Sequence, residues 1–166
     1  MKVIGIDPGT ATTGYGIVEE DSLGNLMALS FGVVLTRPDQ PLEKRLQTIF
    51  NTISDLILLH QPACASVEKL FFKQNVTNAI SVGQARGVVL LALANHNVAV
   101  AEYSPAEVKS AISGYGGAQK SQVQAMVKAI LNLDEIPKPD DAADALAIAI
   151  CHINSMSMHD KASLEG

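Results

Sequence analysis

At 166 residues, 48% hydrophobic and 17% charged, the chain has the composition of one ordinary globular domain and not of a disordered or fibrous protein. No apolar run reaches the roughly 18 residues of a membrane span, and a strand and turn stand at once where a leader peptide would, so a soluble, cytoplasmic protein is expected. The net charge of −5 speaks superficially against nucleic acid, but residues 69–133 carry six basic side chains (Lys69, Lys73, Arg86, Lys109, Lys120, Lys128) against two acids (Glu102, Glu107), which allows a basic surface beside an acidic pocket.

In chain order, residues 2–6 form a short apolar run with Val3, Ile4 and Ile6. Asp7-Pro8-Gly9 then turns the chain, with a proline that fixes φ and a glycine that admits φ > 0. Asp7 therefore stands at a strand end. In open α/β sheets ligands bind beyond such ends, although an isolated Asp-Pro-Gly serves equally to close a turn. Residues 14–19 and 26–36 read as the second and third strands of a meander, with a hairpin turn at 22–25. Pro41 opens an amphipathic helix with Leu46, Ile49, Ile53 and Ile57 at helical spacing; Asp39 is its expected cap and Pro62 its stop. Residues 64–67 read as a buried fourth strand ending in Glu68, a second carboxylate at a strand end. A helix over 76–95 follows, then a fifth strand over 98–102, a short helix opening at Pro105 and a loop with Gly114, Gly116 and Gly117. Val123, Met126, Val127 and Ile130 mark the next helix, and the last runs over 140–156. Cys64 and Cys151 read as reduced core thiols, and the four histidines show no ligand spacing. A single domain over 1–160 is expected, with 161–166 a tail in which Leu164-Glu165-Gly166 reads as an appended remnant.

The last helix opens with three acids in five residues, Asp140, Asp141 and Asp144. Residues three apart share a helix face, so Asp141 and Asp144 point the same way. One acid at a helix start is favoured by the macrodipole and serves as a cap, but three exceed what capping requires. If the pair Asp141 and Asp144 converges with the strand-end Asp7 and Glu68, the four make an all-oxygen set suited to a hard divalent cation, Mg²⁺ or Mn²⁺. Ala79, Gly83 and Gly87 lie at i, i+4 and i+8 on a helix that is apolar nearly all round, a ridge of small residues that suits contact with a second helix.

The sequence resembles the RuvC crossover-junction endonucleases. The resemblance rests on Gly5-Ile6-Asp7-Pro8-Gly9 with Thr13-Gly14-Tyr15-Gly16, Val67-Glu68-Lys69-Leu70-Phe71, Gly83-Gln84-Ala85-Arg86-Gly87, Lys120-Ser121-Gln122-Val123-Gln124, and Asp141-Ala142-Ala143-Asp144-Ala145-Leu146-Ala147, and so covers essentially the whole chain. It implies an α/β fold of the ribonuclease H type, a five-stranded mixed sheet flanked by helices. It implies further that Asp7, Glu68, Asp141 and Asp144 are the catalytic metal ligands for two Mg²⁺ ions, with Mn²⁺ as a substitute. Lys109 and Lys120 would contact DNA phosphates, and Phe71 would stack on unpaired bases at the junction centre. The partners implied are four-way junction DNA, a second copy of the chain meeting at Ala79, Gly83 and Gly87, and the RuvA–RuvB branch-migration complex. The implied activity is Mg²⁺-dependent hydrolysis of phosphodiesters in opposed strands of a Holliday junction during recombination and repair. Small departures before Glu68 and after Asp144 leave the carboxylate set intact, and the basic tail of some relatives is lacking.

Two other classes share parts of these motifs. Residues 4–14 also resemble the first phosphate loop of actin-like and sugar-kinase ATPases, which need two lobes and a second phosphate loop; a nucleotide-binding measurement separates the two readings. A non-catalytic junction-binding module is the third, and the presence of all four carboxylates argues against it.

Overall fold

In the computed structural model of the protein, which describes residues 1–69 and 76–156 with the side chains of 76–78 excepted, strand β1 (Lys2–Asp7) lies at the centre of a five-stranded sheet. It is flanked by β2 (Thr12–Glu20) on one side and β4 (Cys64–Glu68) on the other, with β3 (Leu26–Leu35) and β5 (Ala99–Tyr103) at the edges, giving the order β3-β2-β1-β4-β5. The first three strands are the expected antiparallel meander, and β1, β4 and β5 run parallel. The parallel strands need crossovers, supplied by α1 (Leu42–His60) and α2 (Val76–Asn95). Phe71 and the tail 161–166 lie outside the described residues.

Alternation along β1 assigns the layers. Ile4 and Ile6 point to one face, where they join Ile49, Ile53 and Ile57 of α1 and Ala85, Val89 and Leu93 of α2. Val3 points to the other face, which is covered by α5 (Asp140–Ser155), with α3 (Pro105–Ser113) and α4 (Lys120–Ile130) packed outside it. Every residue from 145 to 153 is buried, because α5 is enclosed between the sheet and those two helices.

The close seat of α5 comes from glycines in the sheet. A Cβ on Gly5 would overlap the carbonyl oxygen of Ala145, one on Gly14 that of Asp141, and one on Gly16 would lie 2.7 Å from Cδ2 of Leu146. Gly5 pairs with Gly16 and Asp7 with Gly14 across β1 and β2, so the three form a contiguous track.

Two expected caps are corrected. Asp39 does not cap α1: the cap position is Pro41, with no side-chain hydrogen bond, and the Asp39 carboxylate is taken up by Arg37 at 2.6 Å. Nor does any of the acids cap α5, whose cap position is Pro139. In both places a proline with pre-set φ enters the helix, which leaves the neighbouring acids free for other partners. The cysteines are free and buried, as expected. Spacing did not reveal that Cys64 lies 3.2 Å from Nε2 of His152, whose Nδ1 is 2.9 Å from the Tyr103 hydroxyl.

Candidate active site

The parity that sets the layers also sets the site. On β1 the residues facing α5 are Val3 and Gly5, so two residues further on Asp7 faces the same way. On β4 they are Cys64 and Ser66, whose hydroxyl donates to the Ile148 carbonyl at 3.1 Å, so Glu68 follows suit. Gly5 is in register with Ser66, which brings Asp7 and Glu68 side by side at the ends of adjacent parallel strands. Gly14, the cross-strand partner of Asp7, lies directly under the backbone of Asp141. The glycine track thus delivers the first turn of α5 to the same sheet end.

The four carboxylates feel one another. Burial, then the charges of Glu68, Asp144 and Asp141, push the Asp7 carboxyl up to about 8, with Lys120 opposing. Glu68 is raised by burial and by Asp144. Asp144 is raised by burial too, against the hydrogen bond and charge of Lys120. Three of the four carboxyls are therefore raised above their ordinary range, burial being the largest cause in each. Burial first, and the neighbouring carboxylates second, thus favour the protonated form of Asp7 at neutral pH. Among the described residues no three His, Cys, Asp or Glu side chains converge tightly enough to grip one ion as they stand. The donor set nonetheless fits a hard cation: it is wholly carboxylate, half-buried and short of positive charge.

A cavity of about 190 Å³ opens beside these groups, lined among others by Glu68, Asp144, Lys109, Lys120 and Val123. Lys109 is brought there by α3, whose start is fixed by a capping box: Ser104 Oγ accepts from the Glu107 N–H at 3.2 Å and Glu107 Oε2 accepts from the Ser104 N–H at 2.7 Å. Glu107 also meets Lys69 at 3.6 Å, which ties α3 to the chain just after Glu68. Lys120, the first residue of α4, donates to Asp144 Oδ2 at 3.0 Å and lies 3.3 Å from Asp140 Oδ2. Burial works against its charge, but Asp144 and then Asp140 hold its ammonium above the ordinary lysine range.

The structure therefore gathers Asp7, Glu68, Asp141, Asp144, Lys109 and Lys120 at one end of the sheet. It leaves Ala79, Gly83 and Gly87 apart, on the side of α2 turned away from the buried Ala85 and Val89, with Gly87 facing open space. Sequence reading missed two supports. Thr10, 5% exposed, anchors the turn after Asp7 by donating to the Ser81 carbonyl of α2 at 2.6 Å, while its own carbonyl accepts from the hydroxyl of Thr36 at 2.5 Å. Asp140, read only as one of three helix-start acids, also accepts from Gln124 Nε2 at 3.0 Å. A threonine after Asp-Pro-Gly carries no signal of such a long-range bond, and neither does an acid sixteen residues beyond its amide partner.

Comparison with known proteins agrees with this geometry. The profile of the family described as "Crossover junction endodeoxyribonuclease RuvC" matches residues 3–152. The protein of that name from Desulforamulus reducens is 52% identical over 153 residues, spanning 92% of this chain and 93% of its own. The solved "Thermus thermophilus RuvC structure" superposes with a TM-score of 0.89 at 38% identity, covering 96% of this chain and 98% of its own. The structure titled "T. thermophilus RuvC in complex with Holliday junction substrate" superposes with a TM-score of 0.85 at 36% identity, covering 93% and 94%. The five-stranded mixed sheet is the ribonuclease H-like fold that the sequence motifs implied. A match of this kind over nearly the whole length means that the chain belongs to the RuvC family of crossover junction endodeoxyribonucleases.

Proposed function

We propose that the protein resolves four-way (Holliday) DNA junctions by paired, metal-dependent nicks in opposed strands, and that Asp7, Glu68, Asp141 and Asp144 carry the chemistry. The observation behind this reading is their collection on one face of the sheet, with Asp7 pushed up to about 8 largely by burial and by the other three, in a member of this family. The four carboxylates would hold two Mg²⁺ ions, with Mn²⁺ as a substitute; bound there, such a pair activates the attacking water and neutralises charge on the scissile phosphate. Asp7 gives up its proton on loading, which makes the site's affinity for cations rise with pH. Lys120 and Lys109, on the rim of the same cavity, contact DNA phosphates near the scissile bond. Phe71 stacks on unpaired bases at the junction centre, on the strength of the family resemblance.

A junction with near two-fold symmetry calls for two such sites, and the outward ridge of Ala79, Gly83 and Gly87 is the surface we assign to a homodimer. Residues 1–160 then act as one nuclease domain in the cytoplasm, downstream of the RuvA–RuvB branch-migration complex. The test is a synthetic four-way junction incubated with Mg²⁺ and with excess chelator. Symmetrical nicks that a ligase can seal, seen only with Mg²⁺, are expected. Equal cutting in chelator, or equal cutting of plain duplex, refutes the proposal.

A further inference from the structure

Asp140 lies outside the carboxylate set assigned above, yet it joins two residues of α4. Lys120 and Gln124 are i and i+4 on α4 and so share a face. Asp140, at the start of α5, takes both: its Oδ1 accepts from Gln124 Nε2 at 3.0 Å, and its Oδ2 lies 3.3 Å from the Lys120 ammonium. The same ammonium donates to Asp144 Oδ2 at 3.0 Å. Lys120 is thus suspended between a carboxylate inside the site and one on its rim, where the Asp140 side chain is 66% exposed and that of Asp144 33%.

We propose that Asp140 is a positioning residue for Lys120, holding its ammonium at the mouth of the carboxylate pocket where the phosphate arrives, with Gln124 fixing the second Asp140 oxygen. The inference rests on the function proposed above, in which Asp144 is engaged with a cation during cutting. Its oxygen is then less available to Lys120, and Asp140 becomes the contact that keeps the ammonium in place. An unguided lysine on a flexible four-carbon stem reaches phosphates at random positions and stabilises the reacting one less. In the resting protein Asp140 has the opposite effect on binding, because Lys120 must loosen a carboxylate before it meets DNA.

The experiment is a double-mutant cycle of Asp140→Ala and Lys120→Ala with two readouts. Junction binding is measured in chelator, and single-turnover cutting is measured with saturating Mg²⁺. Asp140→Ala is expected to bind the junction two- to fivefold tighter, yet to cut the bound junction about tenfold more slowly. That divergence between affinity and rate is not produced by a loosened fold. In the Lys120→Ala background Asp140→Ala should cause no further loss of rate. Gln124→Ala, which leaves Asp140 in place but unfixed, should slow cutting by a smaller factor in the same direction. An unchanged rate in Asp140→Ala, or a loss of the same size with and without Lys120, overturns the inference while leaving the proposed function standing. Failure of the function itself shows separately, as Asp7→Asn protein that still cuts.

Discussion

Asp7 carries a testable thermodynamic signature. With a carboxyl at about 8 in the native state and near 3.8 in the unfolded chain, the native state binds the extra proton throughout that interval. Metal-free stability should therefore fall as pH rises from about 4 to 8, since the unfolded chain releases its proton first. Glu68 and Asp144 are raised as well and add to the same trend. His152 opposes it: burial lowers its folded value below 6.5, so stability is lost as pH falls from 6.5 toward that lowered value. The difference between parent and variant isolates Asp7. Asp7→Asn should melt higher than the parent at pH 7 in chelator and show a flatter melting profile from pH 4 to 8; parallel profiles would place Asp7 outside the charge cluster. Asp144 is a poorer probe, because its Asn variant also forfeits the pair with Lys120. Asp7→Asn, Glu68→Gln and Asp141→Asn should each abolish nicking while junction binding, measured by gel shift, stays the same or tightens. For Lys120→Ala the slope of log affinity against log salt should be shallower by about 0.9, one phosphate contact. The carboxylates were legible in the sequence because strand ends and helix starts are marked by their own residues. Asp140's partnership with α4 was not, because it depends on how two helices cross, which no local pattern encodes.

Among the elements, α5 shows where reading by pattern stops. Its close seat depends on the opposing glycines of β1 and β2, which sequence order separates from it by more than a hundred residues. Gly5→Ala and Gly14→Ala should each destabilise the fold by about 3 kcal/mol, the upper range for overpacking, as read from urea denaturation midpoints. Gly87→Ala is the contrasting case. Nothing stands within 4 Å of its Cβ position, and glycine is a poor helix former, so the substitution should raise monomer stability by up to about 1 kcal/mol. The misplaced caps have a similar lesson. Asp39 satisfies the usual preference for an acid just before a helix, but proline at the boundary sets the entry, and the acid bonds to Arg37 two residues back.

For the whole molecule, the proposed two-fold assembly makes a separate claim on Gly87. If the Ala79, Gly83 and Gly87 ridge meets its mate, Gly87→Ala should weaken self-association in sedimentation equilibrium even as it stabilises the monomer; unchanged association would move the interface elsewhere. The order of the chain adds a consequence for how the protein is made. Asp7 and Glu68 belong to strands that emerge early in synthesis, whereas Asp141 and Asp144 ride on the helix that follows all the others. Domains are built as the chain leaves the ribosome, N-terminal parts first. A nascent chain thus displays the bare glycine track and the first two of the four proposed ligands, and the proposed function requires that it gain the other two only when α5 settles onto that track.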